Sequence, residues 1–114
     1  MDVSVSSEMN YALRTSQHIR AGARLNSRVD VEVMWTEGGE TRTAAGYTVD
    51  IGPKGCLAIV PQGFGVGQKL LLRNGGNQKE SEATLIWRGH EGRTGWELGL
   101  ELVNAPEDFW GVEF

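Results

Sequence analysis

Cysteine is almost missing from this 114-residue chain. Cys56 stands alone, which excludes an internal disulfide and fits a reducing compartment. Proline is scarce as well, with three residues. No apolar run approaches the ~20 residues that a membrane-spanning helix requires. The opening MDVSVSSEMN has neither the basic start nor the apolar core of a secretory signal. A cytoplasmic protein without membrane insertion is therefore expected. Positive charge is also in deficit, with 11 Lys and Arg against 15 Asp and Glu, a net −4. That balance argues against long nucleic acid as a partner, because duplexes are held by whole faces of positive charge. The two histidines, His18 and His90, have no partner at metal-ligand spacing, so no metal site and no cofactor are expected. The length allows one core and leaves no room for a second lobe.

What the chain does have is glycine, 16 residues of it, and short stretches of strict alternation. Val29, Val31, Val33 and Trp35 share one parity, with Asp30, Glu32 and Thr36 on the other. A pleated strand places such sets on opposite faces. Glu37-Gly38-Gly39-Glu40 reads as a hairpin turn, since glycine supplies the positive φ that tight turns need. A second strand is predicted from Thr41 to Ile51, a third over Cys56–Val60, a fourth over Gln68–Arg73, a fifth over Glu82–Arg88 and a sixth from Trp96 to Leu102. The turns between them, Gly52-Pro53-Lys54-Gly55 and Asn74-Gly75-Gly76-Asn77 among them, are too short for crossover helices, so the strands should be antiparallel. The expected fold is all-β, a small six-stranded antiparallel barrel. Patterning alone fits an OB-fold or an SH3-like barrel equally well. Residues 1–18 read as a flexible N-terminal segment with a weak amphipathic pattern around Met9, Tyr11 and Leu13. Asn104–Asp108 reads as the start of a short C-terminal helix or turn, with Phe109 and Trp110 as an apolar plug.

Charge is distributed unevenly. Residues 1–28 carry Arg14, Arg20, Arg24 and Arg28 against Asp2 and Glu8, whereas from Val29 onward thirteen acidic residues face seven basic ones. A basic arm on an acidic barrel suits a small anionic ligand, although composition alone favours a solvated tail. Arg24-Leu25-Asn26-Ser27-Arg28 ends at the first strand, and Asp50-Ile51-Gly52-Pro53-Lys54-Gly55 ends the second. An antiparallel hairpin returns the chain, so Asp50 is expected near Arg28.

These two segments resemble the paired motifs of the PilZ family. That family is marked by RxxxR ahead of its first strand and [D/N]xSxxG after its second. Arg24 and Arg28 match the first, Asp50 and Gly55 the second, and Gly52 stands where the family has serine. Ala83–Arg88 and Leu98–Leu102 resemble the family's later strands, so the likeness covers about residues 19–114. Arg20 and Arg24 form a second RxxxR, but adjacency to the strand favours Arg24 and Arg28. The resemblance implies a PilZ-like barrel that is a receptor for cyclic di-GMP, a bacterial second messenger. Arg20, Arg24 and Arg28 would grip phosphates and guanine edges. Asp50 would accept from the guanine N1–H and amino group, Gly55 would let backbone approach the ligand, and Gly52 would belong to the same ligand site. The hydroxyl missing at Gly52 would cost about 0.5–1.5 kcal/mol, or about three- to tenfold in affinity. Family members with eroded motifs are protein-interaction adaptors. Partners in motility, secretion or exopolysaccharide machinery follow from either reading.

Other features have plainer explanations. Gly63-Phe64-Gly65-Val66-Gly67 lacks the spacing of a dinucleotide loop and precedes a strand, so it reads as a turn. Cys56 in an apolar strand reads as a small buried hydrophobe. Trp35 and Trp96 read as core residues by parity, Trp87 as either a core residue, which is favoured, or a stacking face near the nucleotide, and Trp110 as a cover for one barrel end. Glu97 and Glu101 read as a solvated face. Nothing pairs two carboxylates in a cleft, and no enzymatic activity is expected. An OB-type binder of single-stranded nucleic acid would need a basic groove with exposed aromatics, which an acidic barrel does not supply.

Overall fold

Alternation of period two becomes a sheet that rolls up and closes on itself. The computed structural model describes residues 24–114. The strands are β1 (Leu25–Asn26), β2 (Asp30–Glu37), β3 (Glu40–Gly52), β4 (Gly55–Val60), β5 (Lys69–Asn74), β6 (Glu80–Glu91) and β7 (Trp96–Val103). Their order is β1-β3-β2-β5-β6-β7-β4, and β4 pairs back onto β3. Six strands thus form a closed antiparallel barrel, and β1 is added outside it against the end of β3. Closure removes most of the open edge that a flat sheet would expose.

The expected hairpin at Glu37–Glu40 is present, with positive φ at Gly38 (60°) and Gly39 (84°), as a primed two-residue turn demands. Of the short helix or turn expected from Asn104–Asp108, the turn is present, held by Phe109 N–H to the Pro106 carbonyl (3.1 Å) and Gly111 N–H to the Asp108 carbonyl (3.0 Å). Among the described residues there is no helix. The weak amphipathic pattern near Met9 lies outside the described residues.

Inward residues fill the barrel in layers. Val31, Val33, Leu72, Leu85, Leu98 and Leu100 are almost completely buried, as are Cys56, Ala58 and Val60 of β4. One end is capped by Trp35 set edge-on to Phe64 (4.8 Å, 76°), with Trp96 packed alongside. The other end is closed by Phe109 and Trp110, paired in the same edge-on manner (4.8 Å, 76°). The Phe109 carbonyl accepts from the amides of Asn74 (2.9 Å) and Asn77 (3.2 Å), which satisfies the buried Asn74 side chain. Among the described residues, no helix is long and apolar enough to cross a membrane.

Cys56 is a core residue, as its sequence context suggested. Burial pushes its thiol from an ordinary 9.0 up to about 12; the nearby Asp50 carboxylate adds to this and Arg24 works against it. The folded state therefore keeps a proton that the unfolded chain releases between pH 9.0 and about 12. This contribution is intact below pH 9.0 and is lost as pH rises through the folded value, at up to about 1.4 kcal/mol per pH unit. Urea denaturation from pH 8 to pH 11 should show a steeper alkaline loss of stability in the wild type than in Cys56→Ala. Parallel pH profiles would refute a thiol held neutral by the core.

Candidate functional site

The outer face of the barrel owes its chemistry to two β-bulges. Upstream of the first, even-numbered residues of β3 face inward, ending at the buried Thr48. The pairing with β4 then skips a residue, from Thr48↔Ala58 to Asp50↔Leu57, which leaves Val49 as the extra residue. Parity is exchanged: Ile51 enters the core and Asp50 turns outward. In β6 the pairing with β7 skips from Leu85↔Leu100 to Trp87↔Gly99, which leaves Ile86 extra. Trp87 is thereby put outside and is 49% exposed. This corrects the core role favoured for Trp87 and leaves the outward alternative, because a bulge reverses the face of every residue after it.

The registers join these positions into one row across the sheet: Asn26 opposite Asp50, Asp50 opposite Leu57, Leu57 opposite Gly99, Gly99 opposite Trp87. Gly99 lies beside the tryptophan, since a Cβ there would stand 3.2 Å from Trp87 Cβ. The row thus has a charged end at Asp50, the apolar Leu57 and the side-chain-free Gly99 in the middle, and a broad aromatic at the far end.

The arm residues are held by a buried hydroxyl. Thr48 Oγ1 donates to the Ser27 carbonyl (2.6 Å) and accepts from Val29 N–H (2.8 Å), while Thr48 N–H donates to the Val29 carbonyl (3.0 Å). Those bonds fix the chain between β1 and β2 across β3, with Arg28 between the bonded residues and Arg24 just before β1. The Arg24 guanidinium donates to Asp50 Oδ1. With Arg24 half exposed and Asp50 less so, this ion pair contributes at most about 1 kcal/mol to stability. Arg28 is exposed, its Cζ 4.1 Å from the centroid of the Tyr47 ring. The hairpin return alone suggested Arg28 as the neighbour of Asp50; β1 gives that place to Arg24.

The glycines have different duties from those expected. A Cβ on Gly55 would run into the Leu100 carbonyl of the neighbouring strand, so this glycine is required by the β4–β7 contact. Gly52 is buried, and its carbonyl accepts from Trp110 Nε1 (2.9 Å). The turn is further tied by Leu102 N–H to the Lys54 carbonyl (2.9 Å). The glycine-rich turn is thus pinned from inside the barrel while Asp50 stands outside it. Arg20 lies outside the described residues.

The structure brings Arg24 and Asp50 into contact and sets Arg28 on the adjoining Tyr47, all on the outer side of β3. Sequence reasoning missed Tyr47 as a member of this face and favoured the core over a stacking face for Trp87; the available signal was the break in alternation at Val49 and Ile86. A separate groove of about 570 Å³ runs between Met34, Leu71 and Glu82 on strands β2, β5 and β6, away from all of these residues. Among the described residues, no group of three or more His, Cys, Asp or Glu is placed to hold a metal ion. Comparison with known proteins gives no matching family model, curated protein or solved structure.

Gly55→Ala should destabilise the fold by about 1–3 kcal/mol, because the clash is with backbone and only strand separation relieves it. Urea midpoints compared with those of Gly65→Ala, where a Cβ meets nothing within 4 Å, give the measurement. Equal midpoints would show that Gly55 is free of this constraint.

Proposed function

We propose that this barrel is a receptor for the dianionic dinucleotide cyclic di-GMP, bound on the outer face between the basic arm and Trp87. The observation that carries this proposal is the single row from β1 to β6 in which the Arg24–Asp50 pair, the Gly99 notch and the exposed Trp87 ring lie in register, with Arg28 beside it. Each component suits one part of such a ligand. Guanidinium groups form forked hydrogen bonds with phosphate oxygens and with the O6/N7 edge of guanine. A carboxylate accepts from the N1–H and amino group of the same base. An exposed indole offers a face on which a purine can stack. The resemblance of Arg24, Arg28, Asp50 and Gly55 to the PilZ motifs points to the same ligand.

Binding requires the Arg24–Asp50 contact to open or to be shared with the base. Since that pair is partly exposed, the cost is small beside a charge-assisted bond to phosphate. The signal would pass through the basic arm that leads into β1, and through it to a protein of motility, secretion or exopolysaccharide machinery. A second function, an adaptor that binds its protein partner without nucleotide, is favoured by Gly52. That residue lacks the hydroxyl of the motif, and its carbonyl is committed to Trp110.

Isothermal titration of cyclic di-GMP into folded protein at high micromolar concentration distinguishes the two. A receptor gives saturable heat in the wild type, a loss of at least tenfold in Arg28→Ala and in Asp50→Ala, and a change in Trp87 fluorescence. An absence of heat from wild-type protein would leave the adaptor.

A further inference from the structure

Tyr47 belongs to neither sequence motif, yet it touches both Arg28 and the loop before β7. We propose that Tyr47 is a positioning residue of the outer-face site: its ring holds the Arg28 guanidinium where an anion can reach it, and its hydroxyl fixes the ring. This inference rests on the receptor function proposed above and adds a residue that it does not require.

Tyr47 lies where β3 changes partners, opposite Asp30 of β2 on one side and Ile59 of β4 on the other. Its odd number, upstream of the Val49 bulge, directs the ring to the outer face. The phenol oxygen is hydrogen-bonded to Thr94 Oγ1 at 2.7 Å, across 47 residues of sequence. Thr94 sits in the loop before β7, which is closed by Gly92 N–H to the Gly95 carbonyl (2.7 Å). Gly95, with φ of 144°, packs so tightly on the Val60 carbonyl that a Cβ would not fit. The hydroxyl is therefore anchored to a loop that is itself seated on the barrel.

Arg28 then rests on this fixed ring, Cζ 4.1 Å from its centroid. The contact restrains a long side chain whose rotamer freedom would otherwise be lost when an anion binds. It occupies one side of the cation and leaves Arg28 exposed, with N–H groups available for phosphate oxygens. Tyr47 itself need not touch the ligand.

Titration of cyclic di-GMP into Tyr47→Phe, Tyr47→Leu, Arg28→Ala and the Arg28→Ala/Tyr47→Leu double variant tests this. Removing the ring should weaken binding about two- to fivefold. The phenylalanine variant should retain most of the affinity, and the leucine change should add nothing once Arg28 is gone. Wild-type affinity in Tyr47→Leu, or an undiminished effect in the Arg28→Ala background, would overturn the proposal. The arginine Nε–Hε NMR signals of ligand-free protein give an independent readout. Ring current should displace the Arg28 signal in the wild type and Tyr47→Phe, and the displacement should vanish in Tyr47→Leu, or in Tyr47→Met should the leucine variant fail to fold. If wild-type protein shows the displacement but binds no nucleotide, the receptor function fails and the positioning of Arg28 stands. If the displacement is missing, positioning by Tyr47 is wrong whatever the titration gives.

Discussion

One extra residue in β3 decides which side of the barrel wall carries Asp50. Continued without interruption, the alternation that buries Thr48 would have sent Asp50 into the core and Ile51 into water. An unpaired carboxylate in that interior would either take up a proton or destabilise the fold by several kcal/mol. The bulge at Val49 resolves the conflict by exchanging faces, and it leaves Val49 42% exposed. The bulge at Ile86 does the same for Trp87 and leaves Ile86 54% exposed. Two small departures from ideal pairing therefore create the polar and aromatic ends of one surface, and Arg24 meets Asp50 outside the barrel because of the first.

The frame beneath that surface is stiff, and the groups above it are lightly held. Thr48 satisfies its buried hydroxyl twice and fastens the approach to β2 in doing so. The turn after β3 is secured through the Gly52 carbonyl and, on the β7 side, through Lys54. By contrast, Arg24, Arg28 and Trp87 are all exposed, and their contacts are a surface ion pair, a cation–π contact and packing against glycines. Weak local contacts on a rigid support suit side chains that must exchange one partner for another without disturbing the core.

Most of the barrel could be read from alternation and turn chemistry. The strands between Val29 and Leu102, the glycine hairpin at 38–39, the buried Cys56 and the Phe109–Trp110 plug all follow from local pattern. What could not be read depended on contacts between distant segments. The face of Trp87 hinges on a bulge, and the apolar run Leu85-Ile86-Trp87 breaks the alternation without fixing which residue is skipped. The pairing of Asp50 with Arg24 depends on β1, a two-residue strand too short to show a period. Gly55 was assigned to ligand approach because glycine permits close contact, but the neighbour that comes close is the Leu100 carbonyl. Local pattern left open a short helix or a turn after Asn104, and the turn prevails because Phe109 and Trp110 are consecutive. Both must enter the barrel end together, and an α-helix would separate them by about 100°.

The bond from Trp110 to Gly52 spans 58 residues, and it closes the end of the barrel next to Asp50. That end stays open until a late part of the chain arrives, however early β2 and β3 form their local hairpin. Pairings of such long range carry a large loop-closure entropy and slow the search for the native state. During synthesis, the surface that bears Asp50 would thus acquire its final shape only after residue 110 has left the ribosome.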